Sequence, residues 1–389
     1  MPMYFDFPTY FKVIRLVLCD RPRPRRLVVH LGLLVLLSMW AVVNAVFLLL
    51  DPVFFPHLRR VAIRAPVFIV GNARSGTTLF HRLLCGDRER FAYFRMWELL
   101  FPSLIQKKLI YALFSLLEHR FPSAYRSLVD WESRQLVELK KQHHIGVATP
   151  EEDEFLLLTS FSSAMLTVFF PYVDELQHLV IFEQRPARTR KRITRFYKGC
   201  VARQLLCHGE DLTLVSKNPA FVSKMRDLSW EFPDGKFVYL VRNPYETIPS
   251  LLKLLKTVLD GLGIESDHIE AGTRALVDGC IRDYYYALEV LDGLPPERYA
   301  IVRYDDLVAD PKATVEAVYE RLQLPISPAF AEHLTTEQAR QKRYRSSNAY
   351  SPEEFGIDSE ELEERLAPII ERFGFDASDR PEGETKEIL

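Results

Sequence analysis

The sequence predicts an α/β protein in which a mostly parallel central sheet carries helices on both faces, giving three layers. Four short apolar runs have the character of buried strands, at residues 66–71, 212–216, 236–241 and 299–304. Stretches with helical periodicity separate these runs, and strands that alternate with helices are typical of parallel sheets. The chain has 389 residues, a length at which α/β enzymes are often a single unit.

Each stretch that we predict as a helix has apolar residues three and four positions apart. These stretches are 77–85, 104–119, 189–207, 245–259, 271–291 and 311–322. Residues 150–171 start with an acidic cluster and continue with an apolar run, which predicts one further helix over the binding cleft. Acidic side chains interact favourably with the N-terminal end of a helix dipole, so this cluster fits a helix start better than a metal site.

The most informative segment is residues 66–79, in which an apolar strand leads through a short turn into a helix. Residues 71–78 read Gly-Asn-Ala-Arg-Ser-Gly-Thr-Thr. Such strand–loop–helix segments bind phosphate groups, because the N–H groups at the helix start point at the anion. The spacing nearly matches the Walker A motif, but Thr77 stands where that motif has its lysine. Arg74 in a loop without that lysine suits a phosphorylated donor other than a nucleoside triphosphate.

A second segment places an arginine and a hydroxyl group near the end of another strand. Arg242 ends the strand that begins at Lys236, Pro244 starts a helix, and Ser250 lies further along that helix. An arginine at a strand end and a hydroxyl group on the next helix can hold one phosphate together. Open α/β sheets bind ligands at the carboxyl ends of their strands, so we expect both segments to face one crevice.

The two segments together resemble the 5′-phosphosulfate loop and the 3′-phosphate site of sulfotransferases that use 3′-phosphoadenosine 5′-phosphosulfate (PAPS). The step of eight residues from Arg242 to Ser250 matches that family. Three further segments resemble its bacterial and tyrosylprotein-type branch: Met-Trp-Glu at 96–98, Ser-Lys-Asn-Pro at 216–219 and Val-Arg-Tyr-Asp-Asp-Leu-Val at 302–308. The resemblance covers residues 66–360. It implies a P-loop-type fold and transfer of the sulfuryl group of PAPS to a hydroxyl group of an acceptor.

The resemblance also implies roles for individual residues. The donor would be held by loop, strand-end and helix residues, namely Arg74, Ser75, Gly76, Thr77, Thr78, Arg242, Ser250 and Tyr304. The alternative for Tyr304 is a core side chain at a strand end. Lys217 ends a strand and could meet the bridging oxygen of the donor, although a surface lysine is the alternative. Arg74 and Lys217 would supply positive charge directly, so we expect no metal ion.

The general base that removes the proton of the acceptor has three candidates in the sequence. Glu98 follows Trp97, and partial burial there would raise its pKa towards a useful value. A glutamate at the corresponding place acts as base in the tyrosylprotein-type branch, while an ordinary solvated glutamate is the alternative. His143 and His144 are rival bases, but the lysines beside them favour a stretch that faces water.

The N-terminal segment differs from the rest of the chain. Residues 27–50 contain no Asp, Glu, Lys or Arg, and a helix of that length exceeds the hydrocarbon core of about 30 Å. The run is apolar all round, which favours a membrane helix over a buried core helix. A half-inserted anchor is the alternative, because Asp51-Pro52 is expected to break the run and Pro56 follows. The sequence therefore predicts a membrane anchor at residues 1–60 and a sulfotransferase domain at residues 61–389.

The sequence gives conflicting evidence about the side of the membrane on which the domain lies. Basic residues flank the apolar run at both ends, and the positive-inside rule slightly favours a domain across the membrane from the cytoplasm. No Asn-x-Ser/Thr sequon occurs, and the five scattered cysteines without a Cys-x-x-Cys motif fit reduced thiols. We therefore expect a membrane-held enzyme facing the cytosol, where bacteria make PAPS.

The composition and the departure from the Walker A motif argue against other classes of protein. A net charge of −2 gives no basic field for nucleic acid. The alternatives are a P-loop kinase or regulator, which would need the Walker lysine and an acidic Mg²⁺ ligand, and a non-catalytic membrane protein that keeps the fold. The acceptor could be a lipid, a glycan or a phenol. The anchor and the apolar stretch at 155–170 favour a lipophilic alcohol.

Overall fold

The computed structural model describes residues 3–19, 24–123, 149–262, 267–341 and 359–375. One sheet of five parallel strands has the order β2-β3-β1-β4-β5. The strands are β1 (Val67–Gly71), β2 (Phe91–Ala92), β3 (Thr213–Lys217), β4 (Lys236–Val241) and β5 (Tyr299–Arg303). Four of them confirm the predicted strands. The fifth strand, β2, was not predicted, because a strand of two residues is too short to show an apolar pattern.

The helices in the described part of the chain include long segments that flank the sheet and short segments near the ends of strands. They are α1 (Phe7–Cys19), α2 (Pro24–Phe54), α3 (Thr77–Leu84), α4 (Met96–Leu100), α5 (Leu104–Arg120), α6 (Glu154–Leu158), α7 (Leu166–Phe169), α8 (Gln177–Val180), α9 (Ala187–His208), α10 (Met225–Glu231), α11 (Pro244–Leu262), α12 (Asp267–Asp292), α13 (Tyr304–Ala309), α14 (Pro311–Arg321), α15 (Pro328–Gln341) and α16 (Ser359–Phe373). The six helices predicted from periodicity are confirmed as α3, α5, α9, α11, α12 and α14.

The inner strands β1, β3 and β4 bury both of their faces, as expected of a parallel sheet covered on each side. Alternate residues of β1 point to opposite cores: Phe68 and Val70 pack in one cluster, whereas Val67 and Ile69 pack in another. The first cluster includes residues of α9, α10 and α12, and the second includes residues of α3, α14 and α15. The predicted three-layer arrangement is therefore confirmed.

The single helix predicted over residues 150–171 is wrong, because α6 and α7 are separate short helices. Between them Phe161 adopts a left-handed backbone conformation with φ of 53°. The Ser160 hydroxyl donates to the carbonyl oxygen of Leu157 at 2.8 Å. Serine side chains that bond to nearby backbone groups compete with helix continuation, so the apolar composition alone did not reveal this break.

The apolar N-terminal run forms α2, which is long and apolar enough to cross a membrane by length and composition. The predicted break at Asp51-Pro52 is wrong, because the helix continues to Phe54. Proline at 52 cannot donate to the carbonyl oxygen of Leu48, and the Arg203 guanidinium donates to that oxygen instead, at 3.0 Å. Because this hydrogen bond satisfies the Leu48 carbonyl oxygen, the helix continues beyond the proline.

One side of α2 is buried against the rest of the protein. The buried residues recur every three or four positions along the whole helix: His30, Leu34, Leu37, Ala41, Asn44, Leu48 and Asp51. We call this set the buried stripe. Three of its members are polar, so the expectation of a helix that is apolar all round is wrong. The predicted division of the chain at residue 60 stays a prediction.

Candidate active site

The carboxyl edge of the sheet gathers the segments singled out in the sequence. The register pairs Ile69 with Lys217, Gly71 with Leu240 and Val241 with Arg303, so the strand ends lie side by side. The loop after β1, the last residue of β3 and the residues after β4 and β5 therefore share this edge. This is where open α/β sheets bind their ligands.

The loop between β1 and α3 has a tightly constrained backbone. Arg74 has a φ of 74° and Gly76 a φ of 91°, both in the left-handed region. A Cβ atom on Gly76 would lie 2.6 Å from a ring carbon of Tyr304, so both the conformation and the close approach require glycine. A non-glycine residue in this region is strained and persists where the surroundings fix it, which is common at functional sites.

The start of α3 offers polar groups to an anion. Gly76 is the residue before the helix, and it has no side chain to accept from the first N–H groups. The Ser75 hydroxyl is fully buried and has no hydrogen-bond partner within the described residues. Because free N–H groups and the positive end of the helix dipole favour negative charge, this loop fits a phosphate or sulfate group.

The two predicted phosphate-binding segments are in direct contact. The Arg74 side chain donates from Nε to the Ser250 hydroxyl at 3.0 Å. Arg242 donates from Nη1 to the backbone oxygen of Arg74 at 3.2 Å, and its Nε donates to Glu246 at 3.1 Å. The prediction that both segments face one crevice agrees with this geometry.

Tyr304 belongs to the same cluster. It is the first residue of α13 and not the end of a strand, and its ring lies under the Arg242 guanidinium, 4.2 Å from ring centroid to the guanidinium carbon. Such a cation–π contact fixes the plane of the guanidinium. The ring also closes over Gly76, so the structure places Tyr304 at the candidate site and not in the core.

Lys217 is the last residue of β3, and its side chain is buried beside the start of α3. Its side chain is 2% exposed, and Nζ is 3.0 Å from Glu152 Oε1 and 3.4 Å from Thr78 Oγ1. The side chain of Glu152 is 31% exposed, so one edge of this ion pair is open. A buried ammonium group and an accessible carboxylate thus stand beside the predicted phosphosulfate loop. Glu152 was not assigned a role from the sequence, although it belongs to the acidic cluster that follows Pro150.

Two other members of that acidic cluster, Asp153 and Glu154, form hydrogen bonds or ion pairs with side chains inside the protein. Burial raises the pKa of Asp153 to about 7, although the carboxylate accepts from Tyr197. Glu154 pairs with Lys224 and accepts from the side-chain amide of Asn218. Within the described residues, no group of three or more His, Cys, Asp or Glu side chains is arranged to hold a metal ion.

Glu98 has an environment unlike the one expected. Its side chain is fully buried, and its oxygens lie within hydrogen-bond distance of four groups: Arg95 N, Tyr111 Oη, Gln204 Nε2 and His208 Nε2. Burial acts to raise the pKa of Glu98, but the His208 hydrogen bond and the Lys107 charge outweigh it and lower the pKa to about 2. The predicted rise in this pKa is therefore wrong. The role of Glu98 as base stays a prediction, and His143 and His144 lie outside the described residues.

We expect Arg242→Ala to weaken binding of 3′,5′-adenosine bisphosphate more than Ser250→Ala does. A charge-assisted hydrogen bond to phosphate is roughly twice as strong as a neutral one, and removal of the guanidinium also leaves Tyr304 without its partner. Isothermal titration of wild type and both variants measures the difference. Arg372→Ala, which removes an exposed arginine paired with Asp292, is the control. Equal binding by wild type and Arg242→Ala would place the phosphate site elsewhere.

The parallel sheet with its flanking helices is a P-loop-type α/β fold, and the candidate site lies at its carboxyl edge. A profile of the sulfotransferase family matches residues 66–328 of the chain, and the chain belongs to that family. The predicted enzyme class is thereby confirmed, and the alternatives of a kinase and of a non-catalytic membrane protein are set aside.

Relatives in mycobacteria share most of the chain. The omega-hydroxy-beta-dihydromenaquinone-9 sulfotransferase Stf3 of Mycobacterium tuberculosis (strain CDC 1551 / Oshkosh) is 26% identical over 325 residues, covering 80% of this chain and 75% of that protein. Stf3 of Mycobacterium bovis (strain ATCC BAA-935 / AF2122/97) matches to the same extent, with 26% identity.

Two solved structures show the same fold. The sulfotransferase STF9 from Mycobacterium avium superposes with a TM-score of 0.74 at 17% identity, covering 96% of this chain and 93% of that one. The sulfotransferase STF1 from Mycobacterium tuberculosis H37Rv superposes with a TM-score of 0.67 at 21% identity, covering 92% of each chain.

Proposed function

We propose that this sulfotransferase transfers the sulfuryl group of PAPS to the hydroxyl group of a lipophilic acceptor. The observation that supports PAPS as donor is the direct contact between the two phosphate-binding segments. Arg74 reaches Ser250, and Arg242 reaches the backbone of Arg74. A donor with phosphate groups at both ends of its nucleoside needs two such sites in one crevice.

In this proposal the protein holds the donor at both of its anionic ends. The loop residues Arg74–Thr78 and the N–H groups at the start of α3 would hold the 5′-phosphosulfate. Arg242 and Ser250 would hold the 3′-phosphate, and Tyr304 would line the pocket beside them. PAPS, when bound, supplies the activated sulfuryl group.

The chemical step needs a positive charge near the leaving phosphate and an acceptor for a proton. Lys217 carries the positive charge, because its Nζ lies against Thr78 at the start of α3. We propose Glu152 as the group that accepts the proton of the acceptor hydroxyl. It is partly exposed and lies 3.0 Å from Lys217, whereas Glu98 is fully buried and its pKa is lowered to about 2.

Two observations support a lipophilic acceptor. Stf3, to which this chain is similar, is by its name a sulfotransferase of omega-hydroxy-beta-dihydromenaquinone-9, a hydroxylated lipophilic quinone derivative. The chain also carries the apolar helix α2. The same two observations support association with a membrane, and we propose that the catalytic domain faces the cytosol, where bacteria make PAPS.

The direct test supplies purified enzyme, ³⁵S-labelled PAPS and a membrane extract of the source cell, and then identifies the labelled product by mass spectrometry. We expect label in a lipid-soluble sulfate ester that alkaline phosphatase does not remove. Label confined to water-soluble glycans would overturn the lipophilic acceptor. Tight binding of ATP–Mg²⁺ with no binding of 3′,5′-adenosine bisphosphate would overturn PAPS as donor.

A further inference from the structure

The exposed apolar side chains of this protein are concentrated on three neighbouring helices. Within the described residues, all large apolar side chains that are more than a third exposed lie on α1, on α2 or on α5 with its adjoining Phe121, apart from Trp230, Tyr285 and Val308. Helix α2 packs against both α1 and α5, so their exposed sides adjoin. We call the exposed apolar side chains of these helices the apolar face; Phe7, Phe11, Val35, Val43, Leu109 and Leu113 are examples.

We propose that α2 lies flat in the headgroup region of a bilayer containing anionic lipids, with the apolar face inserted, and does not cross the membrane. This inference refines the membrane association proposed above and is independent of the identity of the acceptor. It follows from how α2 is attached to the protein and from the charges around it.

Helix α2 is attached to the enzyme along its whole length. Near its start, His30 is fully buried and its ring lies 5.4 Å from that of Phe170. In its middle, Trp40 and Asn44 donate to the carbonyl oxygen of Leu100 at 2.7 and 3.0 Å. Near its end, Asp51 accepts from buried Arg203 at 2.6 Å and from Ser103 at 2.7 Å.

These attachments exclude a spanning helix. His30 and Asp51 are separated by about 31 Å along the helix axis, roughly the thickness of the hydrocarbon core. If α2 crossed the bilayer, its partners Phe170, Leu100 and Arg203 would be carried into that core with it. Backbone and charged groups without water or protein partners are costly there, so the catalytic domain cannot follow.

The charge distribution points to anionic lipid and not to a second copy of the chain. In the described residues from 3 to 66, the acidic side chains are Asp6 and Asp51; both are buried and paired with arginines. Exposed basic residues lie on α1, on α5 and just after α2, namely Lys12, Arg15, Lys108, Arg59, Arg60 and Arg64, and they outnumber Glu118, the exposed acidic residue of α5. Basic groups beside an apolar helix face bind anionic headgroups, whereas a two-fold contact between copies would bring these like charges together.

The first test measures flotation of the full chain with vesicles of phosphatidylcholine, with or without phosphatidylglycerol. We expect binding that is stronger with phosphatidylglycerol and weaker at high salt. Val43→Glu and Leu113→Glu should each weaken vesicle binding about tenfold or more, because each removes an inserted apolar side chain. Trp230→Glu changes an even more exposed apolar residue outside the apolar face and should bind like wild type.

Melting temperature and binding of 3′,5′-adenosine bisphosphate should be unchanged in these variants. These two controls show whether a variant binds vesicles weakly because of the lost apolar contact or because it is misfolded. No binding to either vesicle by the wild-type chain would overturn membrane docking. A stable dimer that buries the apolar face and excludes vesicles would do the same. Neither result would affect the proposed sulfuryl transfer, which is measured separately with a detergent-dispersed acceptor.

The second test distinguishes a flat helix from a spanning one. Cys19 is exposed near the start of α2, and Arg60→Cys in a Cys19→Ser background places a thiol just beyond its end. In sealed membrane vesicles of one orientation, a membrane-impermeant maleimide should label both positions or neither. Labelling of one position only, with the other becoming reactive after detergent, would show that α2 crosses the membrane and would overturn the proposal.

Discussion

Lys217→Ala is expected to lower turnover by about 10²–10³-fold, because a preorganised positive charge near a developing anion contributes on this scale. The Lys217 ammonium group is nearly buried and lies against Thr78 at the start of α3. Affinity for 3′,5′-adenosine bisphosphate should change little, since Arg242 and the loop make the principal phosphate contacts in our proposal. Steady-state kinetics with PAPS, together with titration of the bisphosphate, measure the two effects.

The matched control for this substitution is Lys312→Ala, which removes a partly exposed lysine that pairs with Glu316. Its turnover should equal that of wild type. A Lys217→Ala enzyme with near-normal turnover would remove this residue from the mechanism. A loss of thermal stability large enough to account for the lost activity would instead give Lys217 a structural role.

Glu152→Gln is expected to lower turnover by about 10²–10⁴-fold, the usual contribution of a general base. The substitution keeps the shape and polarity of the side chain but removes its ability to accept a proton near neutral pH. Donor affinity should stay close to that of wild type, because Glu152 is assigned to the acceptor in our proposal. Steady-state kinetics with PAPS measure turnover, and titration of 3′,5′-adenosine bisphosphate measures the affinity.

Glu98→Gln is the comparison variant, and its expected effect is on stability. Folding lowers the pKa of Glu98 from 4.5 to about 2, so its charged form stabilises the fold at pH values above about 4.5. That stabilisation is lost as the pH falls towards 2. At neutral pH we expect a melting temperature lower by about 5 °C, because the substitution removes the negative charge and replaces one of the two acceptor oxygens with an NH₂ donor.

The pair of variants discriminates between the two carboxylates. If Glu98→Gln lowers turnover by about 10²–10⁴-fold and Glu152→Gln does not, Glu98 is the base, as the sequence suggested. If neither variant lowers turnover, the candidates that follow are His143 and His144, tested by the same substitution with glutamine.

The fold could be predicted from the sequence because its signals are local. The central strands β1 and β4 are apolar runs buried on both faces, and each predicted helix has its own periodicity. The proposed donor-binding residues also rest on local signals, since the loop at 71–78 and the step from Arg242 to Ser250 are fixed spacings. Parallel strands then bring these segments to one edge regardless of the details of packing.

The environment of Glu98 could not be predicted in this way. Its partners Gln204 and His208 lie more than 100 positions along the chain, and Lys107 adds a buried charge from α5. Whether a buried carboxylate has a raised or a lowered pKa depends on such distant partners. The role of Glu152 was hidden for a related reason, since only the fold shows which member of the acidic cluster meets Lys217.

The buried stripe on α2 was visible in the sequence and was not recognised. His30, Asn44 and Asp51 are spaced by 14 and 7 positions, both multiples of the repeat that keeps residues on one helix face. A helix with a polar residue recurring at that period has one side that needs partners inside a protein. Hydropathy averaged over the run concealed this pattern.

The hydrogen bond from Arg203 to the carbonyl oxygen of Leu48, beside the Asp51 carboxylate, makes the N-terminal helix an integral part of the folded unit. A shortened recombinant version that begins after residue 60 would leave the buried Arg203 guanidinium without either acceptor. Breaking a buried ion pair by removing one partner costs about 3–5 kcal/mol, a large share of the stability of a domain. Inactivity of such a truncated enzyme would therefore not show that catalysis requires the bilayer. Point substitutions on the proposed lipid-facing side separate a need for the bilayer from a need for the folded helix.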